Sequence, residues 1–139
     1  MKKTIIIYWV STIIIFLFEG VMPAFTFQTE LAKEGIRHLG YPAYFGNLLV
    51  IFKMAGSLIL VLTQMPKRVK EWAYAGFTFD FIFASASHGV VDGIANFQTF
   101  LPLILLVILV ISYVSYHKKF DYHKSVTSYN YLDRASAIG

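Results

Sequence analysis

The stretch from Glu71 to Gly93 is long and apolar enough to cross a bilayer as one helix, yet it carries Asp80 near its middle. His88 follows two turns later, towards the far end of the same stretch. A charged group at membrane depth costs about 2.5–3.5 kcal/mol on insertion scales, so it normally faces a bundle interior or a water-filled cavity. The rest of the chain must therefore provide helices that shield these two side chains from lipid.

Lipid is the expected solvent for most of the chain, because its composition does not suit a water-soluble domain. Of its 139 residues, 57% are hydrophobic and 14% are charged, whereas soluble domains average about 25% charged residues. The absence of cysteine excludes disulfides, thiolate-held iron–sulfur clusters and thiol redox chemistry by this chain itself. The net charge of +4 comes from Lys and Arg residues that flank apolar runs, which indicates membrane topology and no nucleic-acid partner.

Four apolar runs predict the membrane-spanning helices. Pro23 is expected to end or kink the first of them, which we interpret as a retained helix because no small-residue cleavage site follows it. The predicted fold class is all-α: an integral membrane four-helix bundle with a short amphipathic helix between spans 1 and 2. The expected spans are residues 4–22, 44–64, 72–91 and 97–116.

The amphipathic helix is predicted within residues 28–40, where apolar positions recur at helical spacing among charged ones. Thr29 is the expected N-cap, and Gly40 is the expected C-terminal stop. Such a segment lies at the membrane interface. It is either a connector that packs on the mouth of the bundle or a lid over a site.

The loops predict one transmembrane domain, residues 1–119, and a polar cytoplasmic tail, residues 120–139, with no periodicity and an expected disordered end. With four spans, most basic residues fall on one side of the membrane. The positive-inside rule then places both termini in the cytoplasm. The residues on that side are Lys2, Lys3, Lys67, Arg68, Lys70, Lys118, Lys119 and Lys124.

Four polar side chains are expected inside the membrane at two depths. A rise of 1.5 Å per residue puts Lys53 and Asp80 about 16 Å from the outer boundary, and Glu19 and His88 about 4–5 Å from it. Lys53 and Asp80 form either an ion pair that holds two helices in register or part of a polar pocket with Glu19 and His88. That pocket would bind a polar headgroup or pass a proton. No metal site is expected, because one histidine with a carboxylate offers too few donors.

Four segments resemble the DoxX-like family: HLGYPAYF, FKMAGSLILVL, KEWAYAGFTFD and SHG, within residues 36–116. The resemblance implies a four-helix protein of the bacterial inner membrane, with relatives named DoxX linked to quinone-dependent oxidation. It assigns no catalytic residue. The positions that match the family pattern are Lys53, Gly56, Trp72, Tyr74, Gly76, Phe77 and His88.

Three functions are consistent with these features. The first is an accessory subunit of a quinone-linked redox system, with quinone as the candidate cofactor bound near His88 and Asp80. The second is a small proton-coupled transporter that uses Lys53 and Asp80, and the third is a structural or assembly partner of a membrane complex. The expected partners are the lipid bilayer and another membrane subunit. No catalytic activity of its own is expected, because the chain lacks cysteine and a recognisable pair of haem ligands.

Overall fold

The computed structural model describes residues 1–138, and the elements over that range are helical. The predicted all-α class is therefore confirmed, although the described residues form six α-helices where four spans and one amphipathic helix were expected. The α-helices are α1 (Lys2–Phe16), α2 (Met22–Thr26), α3 (Glu30–His38), α4 (Ala43–Val61), α5 (Lys67–Val91) and α6 (Phe97–Ile138), and a π-helical turn (Leu17–Val21) joins α1 to α2.

Three helical segments are long and apolar enough to cross a membrane: Lys2–Thr26, Ala43–Val61 and the part of α6 from Phe97 to Arg134. Helix α5 is 25 residues long but is not one of these segments. Its polar and small residues, with Asp80 and His88 among them, lower its mean hydropathy. Length and composition thus support three of the four expected spans. The remaining span, residues 72–91 within α5, stays a prediction.

The outer surface of the bundle is apolar, as lipid contact requires. Large side chains such as Phe52, Phe79, Phe83 and Val107 each expose at least three fifths of their area. Water-soluble monomers rarely expose contiguous apolar surface on this scale. These side chains are placed to face lipid.

The core lies where α6 packs against both α1 and α5, while α4 packs against α5 and the π-helical turn. Small hydroxyl side chains let these helices approach closely and bond across the interface. Ser112 lies 2.7 Å from the Thr12 hydroxyl and 2.8 Å from the Tyr74 hydroxyl, so one serine joins α1, α5 and α6. The apolar core consists of Ile15, Leu60, Tyr74, Phe77, Phe81, Leu105 and Leu109.

The predicted amphipathic helix is confirmed as α3. The Thr29 hydroxyl accepts a hydrogen bond from the Ala32 N–H at 3.3 Å, which is the expected N-cap. Gly40 has φ of +82°, the left-handed conformation that glycine adopts after a helix C-terminus. Ile36 packs against Gly46, and this contact seats α3 on the start of α4.

Two expected boundaries differ from the structure. Pro23 does not end the first helix, because the π-helical turn precedes it and the proline lies in the first turn of α2, where a missing N–H costs little. The tail was expected to be disordered, but α6 continues through it to Ile138. No glycine or proline interrupts residues 103–138, so nothing in that sequence stops the helix. Gly139 lies outside the described residues.

Candidate functional site

Lys53, in the middle of α4, contacts two carboxylates from two other parts of the bundle. Its Nζ lies 2.6 Å from Glu19 Oε2 and 3.1 Å from Asp80 Oδ2. Lys53 exposes 20% of its side-chain area, Glu19 7% and Asp80 16%, so the charges are largely removed from solvent. Lys53 and Asp80, which the sequence places at equal depth, are therefore in contact. We call Glu19, Lys53 and Asp80 the charged cluster.

Glu19 joins this cluster because of the π-helical turn that contains it. Gly20 packs so closely on Ser57 that a Cβ at position 20 would overlap the Ser57 side chain. Ser57 lies one turn beyond Lys53 on the same face of α4, so the close approach at Gly20 carries Glu19 to the lysine. The expectation that Glu19 lies near the outer end of the bundle, at the level of His88, is wrong for this reason.

The charged cluster has one positive group for two carboxylates. One ammonium cannot neutralise both, so the cluster either carries a net negative charge or holds one additional proton. Buried charges of this kind cost free energy unless they are paired and hydrogen-bonded. The arrangement can therefore hold a proton, offer Lys53 N–H groups to an acceptor, or fix three helical segments in register.

A groove between α4 and α5 leads to the charged cluster. Its volume is about 820 Å³, within the usual range of small-molecule sites. The walls are aromatic and aliphatic, and Lys53 and Asp80 are the charged side chains among them. The aromatic members are Tyr41, Phe45, Phe52, Trp72, Phe77 and Phe83. All lining residues fall within positions 41–83, so the groove runs along one face of the bundle and is walled by α4 and α5.

A second cavity, of about 290 Å³, also reaches Lys53. It lies beneath α3 and is bounded by Ala32, Ile36 and the segment around Phe27. Arg37 also lines it and lies 3.3 Å from Glu34. Because Lys53 lines both this cavity and the groove, the charged cluster stands between them.

Besides Lys53 and His88, five positions match the family pattern, and four of these five line the groove. Gly56, Trp72, Gly76 and Phe77 all line it, and a Cβ on Gly56 would meet the Phe77 ring at 3.0 Å. No atom comes within 4 Å of a Cβ built on Gly76, so this glycine leaves open space in the groove. Tyr74 instead points into the core, where its hydroxyl bonds to Ser112.

His88 does not belong to the charged cluster. Its Nδ1 lies 2.6 Å from Asp92 Oδ2, one turn further along the chain. The other Asp92 oxygen bonds to Nε2 of His38, at the end of α3. The pocket expected from four residues therefore consists of three, and His88 takes part in a separate contact.

The His38–Asp92–His88 contact was not foreseen from the sequence. The hydrogen bonds that His38 and, secondly, His88 donate to the Asp92 carboxylate hold the pKa of Asp92 below its ordinary value. Asp92 and His38 are 54 residues apart, and no local pattern links them. Their contact fastens α3 to the turn between α5 and α6.

Metal binding gains no support from these groups. Within residues 1–138, no group of three or more His, Cys, Asp or Glu side chains is arranged to hold a metal ion. The ability of the charged cluster to bind a ligand remains a prediction.

Comparison with known families gives one match. The sequence model of the DoxX-like family matches residues 7–112, which include the whole charged cluster and every residue of the groove. Comparison with curated proteins and with solved structures gives no match.

Proposed function

The chain belongs to the DoxX-like family, and on this premise we propose that it is a four-span inner-membrane protein that binds a quinone in the groove between α4 and α5. It would do so as an accessory subunit of a quinone-linked redox system. The observation that carries the proposal is a lipid-facing aromatic groove that ends at charged hydrogen-bonding groups.

The chemistry of a quinone suits the two parts of this groove. Its prenyl tail is apolar and its ring stacks well, which matches walls that include Phe45, Phe52 and Trp72. Its carbonyl oxygens accept hydrogen bonds. The Lys53 ammonium has three N–H donors, and two carboxylates face it, so one donor is left for a carbonyl.

The groove is accessible from lipid, which also supports a ligand that is dissolved in the bilayer. Apart from Tyr41, which lies just before α4, the residues that line the groove belong to α4 and α5, and Phe52 and Phe83 on it expose about two thirds of their area. A quinone diffusing in the membrane would enter sideways without crossing a polar surface. A ligand from water would instead have to approach through the smaller cavity beneath α3.

The proposed topology has four spans with both termini in the cytoplasm. Helix α5 packs against both α4 and α6, and each of these is apolar enough to cross the membrane. A 25-residue helix is long enough to cross with them. Asp80 faces the Lys53 ammonium, which lowers the cost of its charge at membrane depth. The basic residues at one end of the bundle support the orientation.

A proton-coupled transporter is the second candidate, and one observation favours it. Lys53 lines both the groove and the cavity beneath α3, as a residue on a proton or solute route does. This function predicts pH-dependent flux in liposomes that Asp80→Asn abolishes. Equal flux in the wild-type and Asp80→Asn proteins would exclude a role for the cluster in transport.

The quinone proposal can be tested with the protein's own fluorescence. Trp72 lines the groove, and Trp9 is the second tryptophan of the chain, so Trp9→Phe leaves one reporter at the site. Titration with decylubiquinone in mild detergent should quench Trp72 with saturation. Gly76→Leu, which fills the open space in the groove, should weaken binding at least about tenfold, whereas the neighbouring exposed Ala75→Leu should not.

Variants of Lys53 and of His88 distinguish a quinone site in the groove from one at His88. Lys53→Met should weaken quinone binding, whereas His88→Ala should leave it unchanged, because His88 is hydrogen-bonded to Asp92 outside the groove. Loss of binding in His88→Ala alone would move the site away from the groove. Linear, unsaturable quenching that Gly76→Leu does not alter would reject the proposal.

A further inference from the structure

A third cavity lies at the opposite end of the bundle from α3, and we call it the basic cavity. Its volume is about 190 Å³. Four basic side chains line it, together with aromatic rings from α1 and α6. The basic residues are Lys67, Lys70, Lys119 and His123, and the other lining residues are Tyr8, Thr63, Met65, Tyr116 and Phe120.

Lys70 is the most unusual member, because it is a cation with only 2% of its area exposed. Its Nζ donates to the Leu60 carbonyl at 3.0 Å and to the Tyr8 hydroxyl at 3.1 Å. Among the described residues, no carboxylate lies within 4.0 Å of this ammonium. Two neutral acceptors solvate the group, but its charge has no counter-ion, and its third N–H has no acceptor in residues 1–138.

Lys119 is a second cation in the lining of the cavity. Within residues 1–138, no carboxylate lies within 4.0 Å of its ammonium group either. Its Nζ lies 5.1 Å from the centre of the Tyr8 ring and 5.7 Å from that of Trp9. Lys67 differs, since it lies 3.9 Å from Glu71, a residue outside the cavity lining. Glu71 also approaches His117 at 3.6 Å, so its charge is shared away from Lys70 and Lys119.

We propose that the basic cavity binds an anionic phosphate group, either the headgroup of an anionic phospholipid or a free phosphate. Two uncompensated ammonium groups meet in a cavity large enough for a phosphate and its bridging atoms but too small for acyl chains. Basic pockets between membrane helices on the cytoplasmic side bind anionic headgroups in this way. Charge-assisted hydrogen bonds from lysine to phosphate oxygens supply the affinity.

Trp9 provides a direct readout because a bound phosphate would draw Lys119 away from the indole ring. The Trp72→Phe protein leaves Trp9 as the single tryptophan. This protein, purified in an uncharged detergent, is titrated with three probes: dihexanoyl phosphatidic acid, dihexanoyl phosphatidylcholine and sodium phosphate. We expect saturable change in Trp9 emission with phosphatidic acid and none with phosphatidylcholine at equal acyl-chain concentration.

The free-phosphate titration identifies the source. Saturation by sodium phosphate as well as by phosphatidic acid assigns the cavity to phosphate as such. Saturation by phosphatidic acid alone assigns it to a lipid headgroup. An equal response to phosphatidylcholine shows acyl-chain adsorption and overturns the proposal. The proposal is also overturned if Trp9 emission does not change with phosphatidic acid and native mass spectrometry shows no phosphatidic acid retained by the protein.

Matched variants separate a built site from diffuse charge. Phosphatidic acid retained in native mass spectrometry measures the variants, because Lys119→Gln removes the cation on which the Trp9 signal depends. Lys119→Gln should weaken phosphatidic acid binding about fivefold, the effect of one lysine at an anionic headgroup, and Lys70→Gln should do at least the same. Lys118→Gln removes the same charge from an exposed neighbour outside the lining and should have little effect. Equal weakening by Lys118→Gln and Lys119→Gln would overturn the proposal even if Lys70→Gln fails to fold. Quinone binding at Trp72 is independent of these outcomes, since the groove shares no residue with the basic cavity.

Discussion

Single residues decide the polar chemistry of this protein, and Lys53 is the most consequential of them. It is the only cation within 4.0 Å of Glu19 or Asp80 among the described residues. The removal of one member of a buried ionic group costs much more than the exchange of the whole group for neutral side chains, because an uncompensated charge is left behind. The three residues should therefore behave as a unit.

Lys53→Met should destabilise the protein by about 3 kcal/mol or more, since two carboxylates then face each other without a cation. The triple variant Lys53→Met, Glu19→Gln, Asp80→Asn should recover most of this loss. The measurement is the free energy of unfolding from SDS titration in mixed micelles. If Lys53→Met and Asp80→Leu combine additively within about 0.5 kcal/mol, the two side chains are not coupled.

Gly20→Ala should destabilise the protein by about 1–3 kcal/mol, because its new methyl group overlaps the Ser57 side chain. The same titration measures the effect. Gly76→Ala is the matched control within a helix: it meets no atom within 4 Å and should be neutral or slightly stabilising. A neutral Gly20→Ala would mean that the two helices separate easily at this contact.

At the scale of elements, α3 is held near its C-terminal end by two contacts. Ile36 packs on Gly46 of α4, and His38 bonds to Asp92 beyond the end of α5. The helix thus covers the smaller cavity that leads to Lys53. The sequence left two interpretations of α3, a connector or a lid. The strength of the Asp92 contact decides between them.

The Asp92 contact predicts a pH dependence with a defined sign. Hydrogen bonds from His38 and His88 lower the pKa of Asp92 in the folded protein. The contact therefore contributes stability above the unfolded-state pKa of about 4, and this contribution is lost as pH falls through the lower folded-state value. The protection factors of the α3 amides, which correct for the pH dependence of intrinsic exchange, should therefore fall at acidic pH in the wild type.

Asp92→Asn should remove most of that pH dependence, because Asn cannot titrate. It should also accelerate exchange in α3 at neutral pH, where the wild-type carboxylate is charged. Asp121→Asn, on the exposed part of α6, is the control for removal of one carboxylate. Identical pH profiles for the wild-type and Asp92→Asn proteins would contradict a fastening role.

At the scale of the whole molecule, α6 closes the bundle by packing on α1 and α5. The contact between α4 and α5 is left with a groove on its outer side, and the basic cavity lies at the far end. The two proposed sites therefore face different surroundings: one opens towards lipid tails, and the other lies among the basic residues of the predicted cytoplasmic side.

The topology can be measured directly because the chain has no cysteine. Single variants Asn96→Cys, Arg68→Cys and Ser125→Cys, all at exposed positions, report on three points of the chain. A membrane-impermeant maleimide should label Asn96→Cys in intact spheroplasts and the other two only after lysis. Labelling of Asn96→Cys and Arg68→Cys from the same side would mean that α5 does not cross.

The parts of the prediction that succeeded rest on local patterns. Thr29 and Gly40 bound α3 as expected, because caps depend on a few neighbouring residues. Counting rises along two straight helices placed Lys53 and Asp80 at one depth, and the structure shows that their side chains meet. The same arithmetic failed for Glu19, because it took Met22 as the outer boundary of the first span, whereas the helical segment continues to Thr26 and places Glu19 deeper.

The sequence by itself determined an all-helical chain that uses lipid as its solvent, the amphipathic helix and the presence of ionisable groups at membrane depth. These follow from composition and periodicity, which each segment carries alone. Only the tertiary structure decided that Glu19 joins Lys53, that His88 and His38 share Asp92, and that Lys70 lies buried without a counter-ion. Those contacts join residues distant in the chain, and they depend on helix rotation and on close approach at positions such as Gly20. No local pattern in the sequence determines either.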